Sequence, residues 1–187
     1  MNVRHAHSND LSAIVGIYNA AIPGRMATAD LVPVSVESRR PWFAGHSPHQ
    51  YPLWVTERDN RVVGWLSFRP FYGRPAYKAT AELAIYIDPE YQRQGLGRFL
   101  LDLAVANAPM LDLKTLLAFV FAHNLASLGL FEQAKFQEWG YLPRIAQLDG
   151  VERDLMILGH RLGSGRSPVK EQSGSEFRDS AQGEDGL

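Results

Sequence analysis

Cysteine is absent from the 187 residues. That excludes disulfide cross-links, a thiol nucleophile and any zinc site built on thiolates. Neither sign of charge is in excess: 19 Lys and Arg stand against 20 Asp and Glu, for a net charge of −1. No global basic field therefore gathers nucleic acid or an anionic membrane surface, and any anion must be bound locally. No apolar run approaches the ~20 residues that a bilayer-spanning helix needs. The opening MNVRHAHSND lacks the apolar stretch of a secretory signal. A cytoplasmic protein is expected, with no nucleic acid and no membrane as partner. The motifs G-x-x-x-x-G-K-[ST], G-x-S-x-G and H-E-x-x-H are missing as well. His5 and His7 have no carboxylate in place to complete a metal site, so they read as a surface pair and no metal is expected.

What is there is a hydrophobic content of 45%, enough for one sizeable core. Composition changes once, after DLMILGHRL, where the chain becomes rich in Gly, Ser and charge. Such a segment cannot offset its ordering entropy by burial. The reading is one domain over residues 1–162 and a disordered tail over 163–187.

Within the domain the hydrophobic period alternates. Val3 to Ala6 reads as a short strand. NDLSAIVGIYNAAI places Leu11, Ile14, Val15 and Tyr18 on one helical face, with Ser8, Asn9 or Asp10 available as N-cap. SVESRRPWFAGH reads as a second helix that Pro41 kinks or shortens. YPLWVTE and RVVGWLSFR flank the turn-forming RDN as an antiparallel hairpin. A Gly/Pro-rich loop, PFYGRPAYKA, leads to the strand TAELAIYI, and a helix over 95–107 follows. TLLAFVF is a buried strand, NLASLGLFEQA a helix, and FQEWGYL and ERDLMIL are two further strands. The order β-α-α-β-β-β-α-β-α-β-β is an α/β single-domain arrangement with a mixed sheet.

The segment IYIDPEYQRQGLGRFLL joins a strand to a helix through Gly95 and Gly97. The backbone N–H groups of residues 93–98 are then orphaned at a helix N-terminus, where the macrodipole favours an anion. Glycines there let a diphosphate approach the backbone, and Arg93 and Arg98 add charge at the rim. A strand-to-helix turn in which Gly only permits the geometry is the plainer reading. A dinucleotide fingerprint fails, because Leu100 stands where its third glycine belongs and TLLAFVF ends in AHN with no carboxylate. The spacing that matches is Q-x-x-G-x-G, over Gln92, Gly95 and Gly97.

YQRQGLGRFLL resembles the coenzyme A pyrophosphate loop of the Gcn5-related N-acetyltransferases. RPAYKATAELAIYIDPEYQRQGLG, AHNLASLGLFEQAKF and IYNAAI…MATAD are similar, more narrowly, to the phosphinothricin and methionine sulfoximine N-acetyltransferase group. The resemblance spans roughly residues 3–160. It implies a mostly antiparallel sheet with splayed central strands, acetyl-CoA as co-substrate and a homodimer. The pyrophosphate would lie on Gln92, Arg93, Gln94, Gly95, Leu96, Gly97 and Arg98, and the pantetheine arm against the backbone of Ile85, Tyr86 and Ile87. Asn124 and Ser127 match positions that reach the pantetheine; without the resemblance they read as a helix N-cap and a first-turn Ser.

Acetyl transfer to an amine needs a base, stabilisation of a developing oxyanion and an outlet for the thiolate. Glu82 matches the family's glutamate and is the expected general base, its pKa raised by burial; the plainer reading pairs it with Lys78 or Arg74. A backbone N–H near Ile85 would polarise the thioester carbonyl. Phe131 stands where the family has Tyr or His, so Tyr86, Tyr141, solvent or unassisted departure must serve the thiolate. Ala79, Ala29 and Lys135 also depart from the group's pattern, the last where a helix-ending Gly is usual. Thr28, Arg74 and Lys78 are the candidate acceptor contacts, Arg74 as a carboxylate clamp. The expected activity is acetylation of a small amino-acid-like amine. Acetylation of a protein N-terminus or other amine, and a non-catalytic coenzyme A-binding module, are the alternatives.

Overall fold

Seven strands form one sheet in the order β1-β2-β3-β4-β5-β7-β6 in the computed structural model, which describes residues 2–163. The elements are β1 Asn2–His5, α1 Leu11–Ala21, α2 Val36–Ala44, β2 Leu53–Arg58, β3 Arg61–Pro70, β4 Thr80–Ile87, α3 Leu96–Asn107, β5 Thr115–Phe121, α4 Leu125–Gln133, β6 Gln137–Leu148 and β7 Val151–Arg161. This is the order read from the periodicity. The tail expected from 163 onward lies, from residue 164, outside the described residues. All neighbouring strands are antiparallel except β4 and β5.

Side-chain alternation divides the core between the two faces of the sheet. Leu66 and Phe68 of β3 and Leu83 of β4 point to the face covered by α3, where they meet Leu100 and Leu101; all are buried. Trp65 points the other way, with Val55 of β2, against Ile14 and Ile17 of α1. Full burial of each such side chain is worth roughly 1.5–3 kcal/mol, and both helical layers are therefore strongly held. Every residue of β5 except Phe119 is buried, as expected of a central strand covered on both faces.

Local chemistry fixes the connections. Asp59 and Asn60 both take positive φ, 50° and 61°, the geometry of a tight hairpin turn between β2 and β3. Ser35 caps α2 by accepting from the Ser38 N–H at 3.1 Å. Pro41 sits inside α2, which ends three residues later at Ala44 with Gly45 as its C-cap. Asp10 occupies the N-cap of α1, but its carboxylate turns back to accept from the His7 N–H at 2.7 Å and from Arg4 at 2.6 and 2.9 Å.

The last two strands run longer than expected, β7 to Arg161 beyond Leu158. β6 does not stop at Leu142 but runs to Leu148, through Pro143. Proline is tolerated because β6 is an edge strand and the register slips between Leu142 and Ala146. The Arg144 N–H finds Asp154 Oδ1 at 2.7 Å within that slip.

Candidate active site

β4 and β5 pair over three residues only, Thr80–Glu82 against Thr115–Leu117. Beyond them β4 continues along β3 and β5 along β7. The two strands part there, and a wedge-shaped cavity of about 470 Å³ opens, bordered by Ile85, Ala118, Val120, Asn124, Ser127 and Phe131.

Strand alternation decides which backbone groups face the wedge. The Asp88 N–H donates to Val63 O at 2.9 Å, and 88 stands opposite 63 in the ladder. Tyr86 opposite Trp65 and Ala84 opposite Ser67 are thus hydrogen-bonded pairs as well, and the main-chain groups of Ile85 and Ile87 point the other way, into the gap. This corrects the expectation for Tyr86: its backbone is consumed by β3. Of the three, Ile85 and Ile87 turn their main chain to the wedge, and the Ile87 carbonyl already accepts from Gln92 Nε2 at 3.2 Å.

At the C-terminal end of β4 the chain turns into α3. Arg93 and Gly95 take positive φ, 58° and 82°. Among the described residues no acceptor meets the backbone N–H of residues 93–98, the first helical bond being Phe99 N–H to Gly95 O at 3.0 Å. Six donors at a helix N-terminus, with Arg93 lacking an ion-pair partner among the described residues, fit a diphosphate. Arg98 is instead paired with Asp102 at 2.7 Å. Gln94 braces the loop between Arg58 and the Glu90 carbonyl. The two glycines serve different needs. Gly95 faces open space and is required by its φ, whereas a Cβ on Gly97 would sit 3.3 Å from Leu130 Cδ2, so Gly97 lets α3 approach α4.

The loop between α1 and α2 closes the wedge through three consecutive carbonyls. Arg25 O accepts from His123 Nε2 at 2.9 Å, Met26 O from Asn124 Nδ2 at 3.0 Å and Ala27 O from the Tyr86 hydroxyl at 2.8 Å. Asn124 also caps α4, accepting from the Ser127 N–H at 3.1 Å. Its amide is therefore engaged at both ends, with one N–H and one lone pair left for a ligand. Thr28 is buried, and its Oγ1 lies 2.5 Å from the Tyr18 hydroxyl. Tyr18 in turn donates to Asp30 at 2.6 Å, so Thr28 is the donor of its pair.

Glu82 stands at the last rung before the strands part, opposite Arg69 on β3 and Leu117 on β5. Its carboxylate is half-buried and accepts no hydrogen bond among the described residues. Burial pushes its pKa up, and the charge of Arg69 opposes that shift. A second cavity of about 130 Å³ lies on the α1 side of the sheet, lined by Tyr18, Arg39, Trp42, Trp65 and Ser67. Glu82, Arg69, Ala84 and Tyr86 border both cavities. The carboxylate is thus the meeting point of two spaces.

Arg74 and Lys78 are exposed on the β3–β4 loop and line neither cavity, so one chain does not bring them to Glu82. The cations that do line the cavities are Arg69 and Arg39, which the sequence reading missed. Trp65, Ser67 and Arg69 alternate on β3 and share a face with Glu82, but that pairing becomes visible only once the register across the long β3–β4 loop is known.

Phe131 is buried against the wedge. It also makes the end of α4: Phe136 N–H reaches Phe131 O at 3.0 Å, Lys135 N–H reaches Glu132 O at 2.9 Å, and the rings of Phe131 and Phe136 meet edge-on. This is a Schellman closure, whose left-handed residue is Lys135 at φ 67°. Of the alternative acids, the Tyr141 hydroxyl bonds Asp154 and borders neither cavity. Tyr86 borders both, but its hydroxyl proton is already given to Ala27 O and burial pushes its pKa up, which makes it a weak acid for a departing thiolate.

The family model for the acetyltransferase (GNAT) family matches residues 18–136. The Bacillus subtilis (strain 168) protein named "Putative phosphinothricin acetyltransferase YwnH" is 50% identical over 163 residues, 87% of this chain and 99% of its own length. The L-methionine sulfoximine/L-methionine sulfone acetyltransferase of Pseudomonas paraeruginosa (strain DSM 24068 / PA7) is 30% identical over 170 residues, 89% of this chain and 97% of its own. A Salmonella typhimurium protein whose structure was solved with its cofactor acetyl-CoA superimposes with a TM-score of 0.83 at 27% identity, over 91% of this chain and 98% of that one. Parted central strands, an amide cradle behind Q-x-x-G-x-G and a carboxylate where they meet are thus accounted for together: the chain belongs to the GNAT acetyltransferase family.

Proposed function

We propose that this protein acetylates the amine of a small amino-acid-like acceptor, of the phosphinothricin or methionine sulfoximine type, with Glu82 as general base. The observation that carries this reading is the position of Glu82 at the junction of the two cavities. Acetyl-CoA, when bound, supplies an acyl thioester, its diphosphate meeting the free amides of residues 93–98 and its arm the wedge at Ile85, Ile87, Asn124 and Ser127. The acceptor enters the smaller cavity. Its ammonium loses a proton to Glu82, whose raised pKa suits a base acting near neutrality. The Ile85 N–H faces the wedge and is placed to donate to an oxygen that gains charge during transfer.

Arg69 takes the acceptor's carboxylate in this reading, in place of Arg74 and Lys78, because it borders the cavity that contains the base. Thr28 acts indirectly, by fixing the Tyr18 hydroxyl. A thiol of pKa near 8.5 leaves tolerably as thiolate, so Phe131 does not argue against catalysis. The small volume of the acceptor cavity favours a free amino acid over a protein N-terminus. By the family resemblance the enzyme works as a cytoplasmic homodimer, which light scattering of the purified protein tests. The decisive assay is thiol release from acetyl-CoA with a panel of amines. Turnover with amino-acid acceptors that collapses in Glu82→Gln supports the reading, and turnover confined to peptides or polyamines overturns it.

A further inference from the structure

Four buried side-chain polar atoms lack a hydrogen-bond partner among the described residues: His46 Nε2, Thr56 Oγ1, Ser67 Oγ and Arg153 Nε. Of these residues Ser67 lines the cavity beside Glu82, and the other three line neither of the two cavities described above. Ser67 is completely buried. It faces the α1 side of the sheet because it alternates with Trp65 and Arg69 on β3. A buried hydroxyl left without a partner is costly, and such a group in a native pocket points to something that satisfies it.

Across the cavity stands Arg39. Its Nη2 donates to Asp30 at 2.9 Å, and the guanidinium lies 4.6 Å from the Tyr18 ring centroid and 5.9 Å from that of Trp42. Its other N–H groups meet no acceptor among the described residues. A guanidinium can only donate. A ligand atom shared by Arg39 and Ser67 must therefore be an acceptor; Glu82 and Arg69 line the same cavity and serve the acceptor's amine and carboxylate in the reading above, and the remaining walls are aromatic and aliphatic.

We infer that Ser67 and Arg39 form the end of the acceptor subsite and read an oxygen at the tip of the acceptor's side chain, an inference that rests on the amino-acid reading above. The side chain ends in a neutral or anionic oxygen: a sulfone, a carboxamide or a phosphorus-bound oxygen. A hydrocarbon or thioether tip leaves Ser67 unsatisfied. An ammonium tip meets the charges of Arg39 and Arg69.

Methionine sulfone and methionine are the probes, since they differ only by the two oxygens. Binding is followed by the fluorescence of Trp42 and Trp65, which line the cavity, and catalysis by thiol release. The wild type should bind the sulfone at least tenfold more tightly than methionine and show a similar ratio in kcat/KM. Ser67→Ala should narrow both ratios to within about threefold, leave methionine binding unchanged, and not lower Tm, because the removed hydroxyl bonds nothing in the chain. An unchanged ratio in folded Ser67→Ala, equal weakening of both ligands, a lowered Tm, or a wild type that binds neither amino acid overturns the inference. A sulfone preference in binding without any acetylation upholds the subsite and sinks the proposed reaction.

Discussion

Arg69→Ala tests the acceptor site most directly. Arg69 lies opposite Glu82 in a hydrogen-bonded antiparallel pair, borders both cavities and has no ion-pair partner among the described residues. If it holds the acceptor's carboxylate, its removal deletes one charge-assisted contact worth about 1.5–3 kcal/mol, a ten- to hundredfold rise in KM. The same substitution removes the positive charge that restrains the pKa of Glu82. That pKa then rises further, the deprotonated base is reached at higher pH, and the acidic limb of the rate profile moves upward. Steady-state thiol release against pH, with an amino acid and its amide as acceptors, reads both effects. The amide should be poor with the wild type and lose little more in the variant, which isolates the contact as a cycle of enzyme and substrate. Arg74→Ala, on the exposed loop, should change KM by less than about threefold. If Arg74→Ala carries the penalty and Arg69→Ala does not, the assignment by cavity lining is refuted.

Three further outcomes are expected. Glu82→Gln should lower turnover by about 10²- to 10⁴-fold and abolish the acidic limb while leaving acetyl-CoA affinity intact in a calorimetric titration. It should also raise stability at neutral pH: a carboxyl with a raised folded pKa loses stability as pH climbs from its unfolded value through the folded one, and glutamine does not. Lys135→Gly relieves a left-handed lysine and should stabilise by about 0.5–1 kcal/mol after the added freedom of the unfolded chain, raising Tm by about 1–4 °C in a thermal scan. Asp10→Asn should cost about 1–2 kcal/mol at pH 7 in urea titrations. Arg4 holds the Asp10 carboxyl below its ordinary range, so the wild type's advantage is complete above the unfolded pKa and disappears as pH falls through the depressed folded value.

The element order could be read from the sequence because the buried stripes follow it faithfully, as in Leu11, Ile14 and Val15 of α1 or the unbroken apolar run of β5. The end of β6 could not, since a proline within a strand is informative only once the strand is known to lie at an edge. At the candidate site, the glycine loop is legible as a local pattern in a single segment, and Glu82 is proposed from the family resemblance. Arg69, Arg39 and Ser67 are not legible in this way: their meaning comes from the β3–β4 register and from α2 lying over that face, and both are tertiary facts. Tyr86 was misread for a related reason. Which of three consecutive residues turns its amide outward is a matter of ladder parity, invisible in an apolar run. Gly97, taken as room for a ligand, is also room for Leu130.

The three rungs between β4 and β5 have a mechanical consequence. They are the only strand-to-strand pairing between a four-stranded and a three-stranded half of the described sheet. The halves can flex about that seam more cheaply than either can deform within itself. A ligand chain lying in the open part, and bonded to the Ile85 and Ile87 main chain, would act as an interposed strand that extends the seam. Cofactor loading would then double as a stiffening of the molecule.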